Sequence, residues 1–378
     1  MRRAALVGLL SLTAIPAFAQ FPGADRVLRG AVLMSDLNIS PEQEREIGAI
    51  VSARIRTRYG VVQDPAVHRY VALVGTVAAQ ASAKPGLAWQ FIVLDTDGVN
   101  AFAAPGGFIH VTRGALALMQ GEAELAGVLA HEIAHVTEQH TIKAIKKGKI
   151  SEFGIQEGAA QAPGGGLSQL AIEKLGEKAT EMVLAGFGRA EELESDQVGL
   201  VLADRVGYAP TGLGGFLTRL AERNKVSTAK QGLFASHPEM KERLDGLSKQ
   251  IAAKRLGSTV VLDDRYRRFV SYQPTPLAEI AQVEAGAAGL AGGTGKSEGS
   301  KAAEPSKPAE APKKRSFGLS SLMKPAGEEK KSAQVTGSGG SRGVDTERNA
   351  KGGSNPAVVA VTLTATDIAT FKQEGQLK

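Results

Sequence analysis

His131 and His135 stand four residues apart with Glu132 between them, in the run His131-Glu132-Ile133-Ala134-His135. On a helix that spacing puts both imidazoles on one face, with Cβ atoms about 5–6 Å apart. Both rings can then reach one ion, at about 2.0–2.1 Å for zinc. Glu132 projects beside that face, where a carboxylate can hold a water on the ion rather than the ion itself. The chemistry this suits is hydrolysis. Zinc lowers the pKa of its water towards about 7, and the carboxylate takes the proton as the water attacks a carbonyl, then hands it to the leaving amine. So short a motif also arises by chance on core helices, and its weight depends on what surrounds it.

The surroundings are helical. Gly121 to Ala130 leads into the motif without a breaker, Glu122 and Glu124 suit a helix N-terminus, and Leu125, Val128, Leu129 and Val136 recur at helical spacing. A catalytic zinc site of this kind takes one further carboxylate, and a nearby acid often fixes a ligand histidine's tautomer. Arg189 to Asp204 reads as a helix carrying Glu191, Glu192, Glu194 and Asp196. Alone, such an acid run reads as a solvated face. Following the histidine motif, it offers Glu192 and Asp196, which share a helix face, as metal ligand and histidine orienter. Glu191 and Glu194 are expected to face solvent.

These helices need a frame. Ser40-Pro41-Glu42-Gln43 reads as a capped helix start, with a helix running to about Tyr59 and ended by Gly60. A second helix fits Pro65 to Ala81. Trp89 to Leu94, Asn100 to Ala103 and Phe108 to Val111 read as short strands, the last two joined at Pro105-Gly106-Gly107. From Arg113 to about Lys254 the pattern is mostly helical, interrupted at Ala162 to Gly166 by a loop that is either a lid between the two ligand helices or a surface insertion. The expected fold class is α+β, mostly helical, with a small sheet. If Asn100-Ala101-Phe102-Ala103 forms an exposed edge beside the metal, an extended substrate can add to it through backbone hydrogen bonds; otherwise it is an ordinary strand. His68 and His110 are expected at the surface or in packing.

The 378-residue chain carries a net charge of +6 and a sequence pI near 9.3. No nucleic-acid motif accompanies that charge, so no nucleic-acid partner is expected. Arg2 and Arg3, the apolar run Ala4 to Ile15 and the Ala17-Phe18-Ala19 site read as a signal peptide over 1–19, cleaved to leave a chain starting near Gln20. No later run is apolar enough to span a membrane. With no cysteine anywhere, disulfides are excluded, which fits an exported protein of the bacterial periplasm. The domain reading is a metallopeptidase domain over 20–275, a basic low-complexity linker over 276–355 too poor in large apolar residues to fold, and a short C-terminal segment over 356–378 that either docks on the core or stands apart. No internal repeat is visible.

Four blocks occur in order: Asn100 to Gly107, His131 to His135, Arg189 to Asp196, and Ser236-His237-Pro238. Together they resemble the CAAX prenyl endopeptidase family of zinc metallopeptidases, in its soluble periplasmic branch, over roughly Asp36 to Ala253. The resemblance implies a gluzincin-like fold, one Zn2+ per chain, Glu192 as the metal ligand four residues before Asp196, and endopeptidase action on misfolded or unassembled envelope polypeptides. It makes His237 a candidate either for polarising the developing oxyanion or for reaching the zinc in a resting form. Two departures stand out. Repeat-carrying members of that branch have a helical repeat domain after the peptidase, where this chain has the basic stretch. The residue before His140 is often Arg in the family and is Gln139 here; His140 itself reads as structural or supporting. The competing function is a periplasmic chaperone or assembly factor for outer-membrane proteins with little proteolysis.

Overall fold

The computed structural model describes residues 39–148, 155, 167–224, 240–276 and 355–378. The expected signal segment 1–19, the glycine-rich loop 162–166, the block 236–238 and nearly all of the basic stretch 276–355 lie outside the described residues.

Helix α1 spans Pro41–Tyr59 and starts as its sequence dictates: Gln43 N donates to Ser40 Oγ (3.3 Å) and Ser40 N donates back to Gln43 Oε1 (3.1 Å). Gly60, at φ 72°, ends it. Helix α2, Pro65–Gln80, is capped by Asp64. Strands β1 (Gln90–Leu94), β2 (Ala101–Ala104) and β3 (Phe108–Thr112) form a three-stranded sheet in the order β1-β3-β2. β3 is central, parallel to β1 and antiparallel to β2. The strands read as continuous apolar runs because both faces are covered. Phe91, Val93, Ala101, Ala103, Ile109 and Val111 join one apolar cluster, while Ile92, Leu94, Phe102, Ala104 and Phe108 join the other.

Helix α3 (Arg113–Leu118) leads to α4 (Glu122–Thr137), which carries the histidine motif. Then follow α5 (His140–Lys147), α6 (Gln169–Ala185), α7 (Arg189–Arg205), α8 (Gly212–Asn224), α9 (Met240–Lys254), α10 (Asp263–Phe269) and α11 (Ala365–Glu374). The first apolar cluster packs α2, α4, α7 and α8 on one side of the sheet; the second packs α1, α5 and α6 on the other. α4 is therefore buried nearly all round, from Leu125 to Val136, which is why its motif lacks the polar face of a surface helix.

The crossing that brings the acid run to the histidines is α4 against α7. Gly199 makes it possible: a Cβ there would stand 2.8 Å from the backbone nitrogen of His131, so any larger residue would push α7 off α4. Residues 355–378 lie against the same body. Val61 N donates to Asn355 O (2.9 Å) and Lys378 N to Val206 O (3.0 Å), while Phe371 is buried beneath the guanidinium of Arg265, 3.9 Å from its ring centre.

Candidate metal centre

His131 and His135 present their Nε2 atoms 3.1 Å apart on α4. From α7, Glu192 places Oε2 3.5 Å from His131 Nε2 and Oε1 3.4 Å from His135 Nε2. All three side chains are buried, Glu192 completely. Donor atoms about 2.0–2.1 Å from a tetrahedral ion stand roughly 3.3 Å from one another; the two Nε2 atoms, 3.1 Å apart, and the contact each makes to its own Glu192 oxygen, at 3.5 and 3.4 Å, lie near that value. Two imidazoles and one carboxylate are the protein donors that catalytic zinc sites take, where structural sites take four. Among the described residues this is the one cluster of such groups that could hold a metal ion.

Each histidine is held from behind. His131 Nδ1 lies 3.0 Å from Asp196 Oδ1, which leaves Nε2 to face the cluster. Burial works against the charge on Asp196, but the Arg243 guanidinium beside it, with hydrogen bonds from His131 and Arg243, holds its carboxyl down at about 2. Burial and the Arg243 charge oppose protonation of His131; its hydrogen bonds to Asp196 and Glu192 outweigh them and raise it to about 9. Those carboxylates thus favour a cation on this imidazole. His135 Nδ1 lies 2.8 Å from His140 Nδ1, and His140 Nε2 lies 3.0 Å from Glu194 Oε2. Phe187 stacks on the His135 ring at 4.4 Å between centres. Glu132 is buried on α4 within the electrostatic reach of Arg243.

The sequence pattern of peptidase family M48 matches residues 63–251, half of the chain. The chain belongs to peptidase family M48. That places it among the metallopeptidases, and the resemblance carried by the four blocks is a family relationship. Over 213 residues it is 27% identical to the beta-barrel assembly-enhancing protease of Escherichia coli, covering 54% of this chain and 43% of that protein. It is 31% identical over 166 residues to the metalloprotease YcaL of Escherichia coli (43% and 63% covered). It is 28% identical over 214 residues to the mitochondrial metalloendopeptidase OMA1 of Schizosaccharomyces pombe (55% and 60% covered). The chain spans about half the length of the assembly-enhancing proteases it matches. Among the described residues no helix is long and apolar enough to cross a membrane.

Within this M48 domain the fold brings His131, His135, Glu192 and Asp196 together. The expected exposed substrate edge differs. β2 is an edge strand of the sheet, but Ala101, Phe102 and Ala103 are 1, 2 and 3% exposed. α4 and α6 pack against it, and Ala179 and Val183 of α6 share its apolar cluster with Phe102 and Ala104. Asn100 is half-buried and donates its backbone N–H to Thr112 Oγ1 (3.0 Å). His237 lies outside the described residues. Glu194 is not simply solvent-facing: its side chain is 48% exposed, yet it anchors His140. Glu191 is partly exposed, 3.8 Å from Lys147. His68 and His110 are fully buried, so of the two readings packing holds. Gln139 takes a left-handed backbone (φ 57°) that turns α5 back towards α4, and its Nε2 donates to Glu44 Oε2 (2.8 Å).

Arg243 escaped the sequence reading. Its signal was an arginine on the buried stripe of a helix, since Met240, Arg243 and Leu247 are the inward positions of α9.

Proposed function

We propose that this chain is a zinc-dependent endopeptidase, exported to the periplasm, that hydrolyses peptide bonds in misfolded or unassembled envelope proteins. The observation that carries the proposal is the buried convergence of His131, His135 and Glu192, with Glu132 buried on the same helix beside them in sequence. On this reading His131, His135 and Glu192 hold the ion, and Asp196 fixes the His131 ring. A zinc ion there supplies Lewis acidity, polarising a peptide carbonyl and acidifying water. Glu132 accepts the proton of the attacking water at a carboxylate oxygen and delivers it to the leaving amine nitrogen, so it ends the cycle as it began. The family resemblance adds a proposed role for His237, either stabilising the oxyanion or gating the zinc.

The envelope substrate class draws support from the signal-like first nineteen residues and from kinship with assembly-enhancing proteases. The test is capture. Full-length Glu132→Gln, expressed in the cell envelope, should co-purify with exported polypeptides that wild type does not retain; recovery of cytoplasmic proteins alone would contradict the substrate class.

A second reading, a factor that holds outer-membrane polypeptides and seldom cuts, is favoured by one observation: β2 and the three candidate ligands are buried in this conformation. Complementation separates the two. A holding factor works equally well with Glu132→Gln.

A further inference from the structure

Arg243 has the largest fully buried side chain among the described residues. It belongs to neither ligand helix, entering from α9. Its Nε and Nη2 lie 2.8 and 2.7 Å from the two oxygens of Asp196, and its Nη1 lies 2.9 Å from Glu192 Oε2. Nη2 also comes within 3.4 Å of His131 Nδ1. One planar guanidinium thus spans the two carboxylates that face the histidines. Its fork grips Asp196 with two hydrogen bonds and sets Nη1 against Glu192 as an ion pair without hydrogen-bond alignment, whereas an ammonium is a point charge with no such fork.

Glu132, Glu192 and Asp196 bring three carboxyl groups into one buried site beside the Arg243 guanidinium. Without Arg243, Glu192 and Asp196 would repel each other at close range in low dielectric, and the donor atoms would have to be gathered at the moment of binding.

We infer that Arg243 is a positioning residue that presets Glu192 and Asp196 for a divalent metal and thereby links the docking of α9 to metal binding. The inference rests on the reading of the cluster as a metal site. Linkage is reciprocal: if α9 stabilises the metal-binding arrangement, bound metal must stabilise the docking of α9.

The test uses the full chain and zinc alone. Zinc affinity is measured by competition with a chromophoric chelator for wild type, Arg243→Lys, Arg243→Gln and Glu192→Ala, alongside the melting temperature of each metal-free protein. Replacing a group that orients metal ligands typically costs about 10–100-fold in affinity, and Arg243→Lys, which keeps the charge but not the fork, should fall in that range. Its cobalt(II) complex should show altered ligand-field absorption. Hydrogen exchange across 240–254 should slow on zinc addition in wild type and respond less in Arg243→Lys. If Arg243→Gln fails to fold, Arg243→Lys and the wild-type exchange still decide. Zinc affinity within twofold of wild type for Arg243→Lys, or exchange of α9 indifferent to zinc, overturns the inference, even if the metal-free melting temperature falls. If Glu192→Ala keeps full zinc affinity, it is the metal site itself that fails.

Discussion

His131 Nδ1 and Asp196 Oδ1 lie 3.0 Å apart, joining a helix of the histidine motif to the acid run that follows it by some sixty residues. The contact directs the other ring nitrogen, Nε2, at His135 and Glu192. Removing it by Asp196→Ala should leave His135 and Glu192 in place but free the His131 ring to rotate. The expected loss is about 10–100-fold in zinc affinity, read by chelator competition on folded protein.

Glu192 and Glu194 sit two positions apart on α7, yet only Glu192 faces both histidines. Zinc content after gel filtration, measured by atomic emission, should drop to near background for Glu192→Ala. Glu194→Ala should retain most of its zinc, because Glu194 acts through His140 and is half exposed. Reversed results would move the ligand.

Much of this site was legible because its parts are local. The four-residue spacing of His131 and His135 makes one helix face, and that of Glu192 and Asp196 makes another; capping at Ser40 and the glycine stop at Gly60 fix α1. What escaped depends on distant partners. Arg243 looks like an ordinary helix charge until α9 is packed against α7. Glu122 reads as an acid favouring a helix N-terminus, but it is fully buried and bound by Arg265, 143 residues away. The covering of β2 by α6 leaves no trace in the strand itself, since alanine and phenylalanine suit a buried edge as well as an open one.

Glu122 supplies a stability prediction. Tyr70 and Tyr208 donate their hydroxyls to it at 2.8 and 2.6 Å, and Arg265 Nε donates at 2.7 Å while Nη2 pairs with its other oxygen. Arg265 also donates Nη1 to Phe371 O (2.8 Å), so the network ties α11 to the start of α4. Glu122→Ala strands a buried guanidinium and two phenols, and should cost about 3–5 kcal/mol in urea unfolding. A loss under about 1 kcal/mol would mean the network is dispensable.

His110 should make the metal-free protein sensitive to acid. It lies fully buried on β3, with Ser52 Oγ 2.9 Å from its Nε2. Burial, reinforced by the nearby Arg56 charge and only partly offset by the backbone at Phe102, lowers its pKa to about 3 from 6.5. Between those values the unfolded chain holds a proton that the folded protein does not, so stability is full above about 6.5 and falls as pH is lowered through the window. Urea unfolding of the metal-free chain should show wild type losing about 2 kcal/mol more than His110→Asn between pH 6.5 and 4.5. Parallel losses in the two proteins would remove His110 as the cause.

The proton carried by Glu132 is the centre of the account, and one comparison addresses it most directly. Zinc-loaded wild type and zinc-loaded Glu132→Gln are incubated with a permanently unfolded polypeptide, and new amino termini are counted over time. Wild type should generate them steadily. Glu132→Gln should bind as much zinc yet cleave at least about 100-fold more slowly. Equal rates in the two proteins, or no cleavage by fully loaded wild type, would contradict the assignment of this site to peptide hydrolysis.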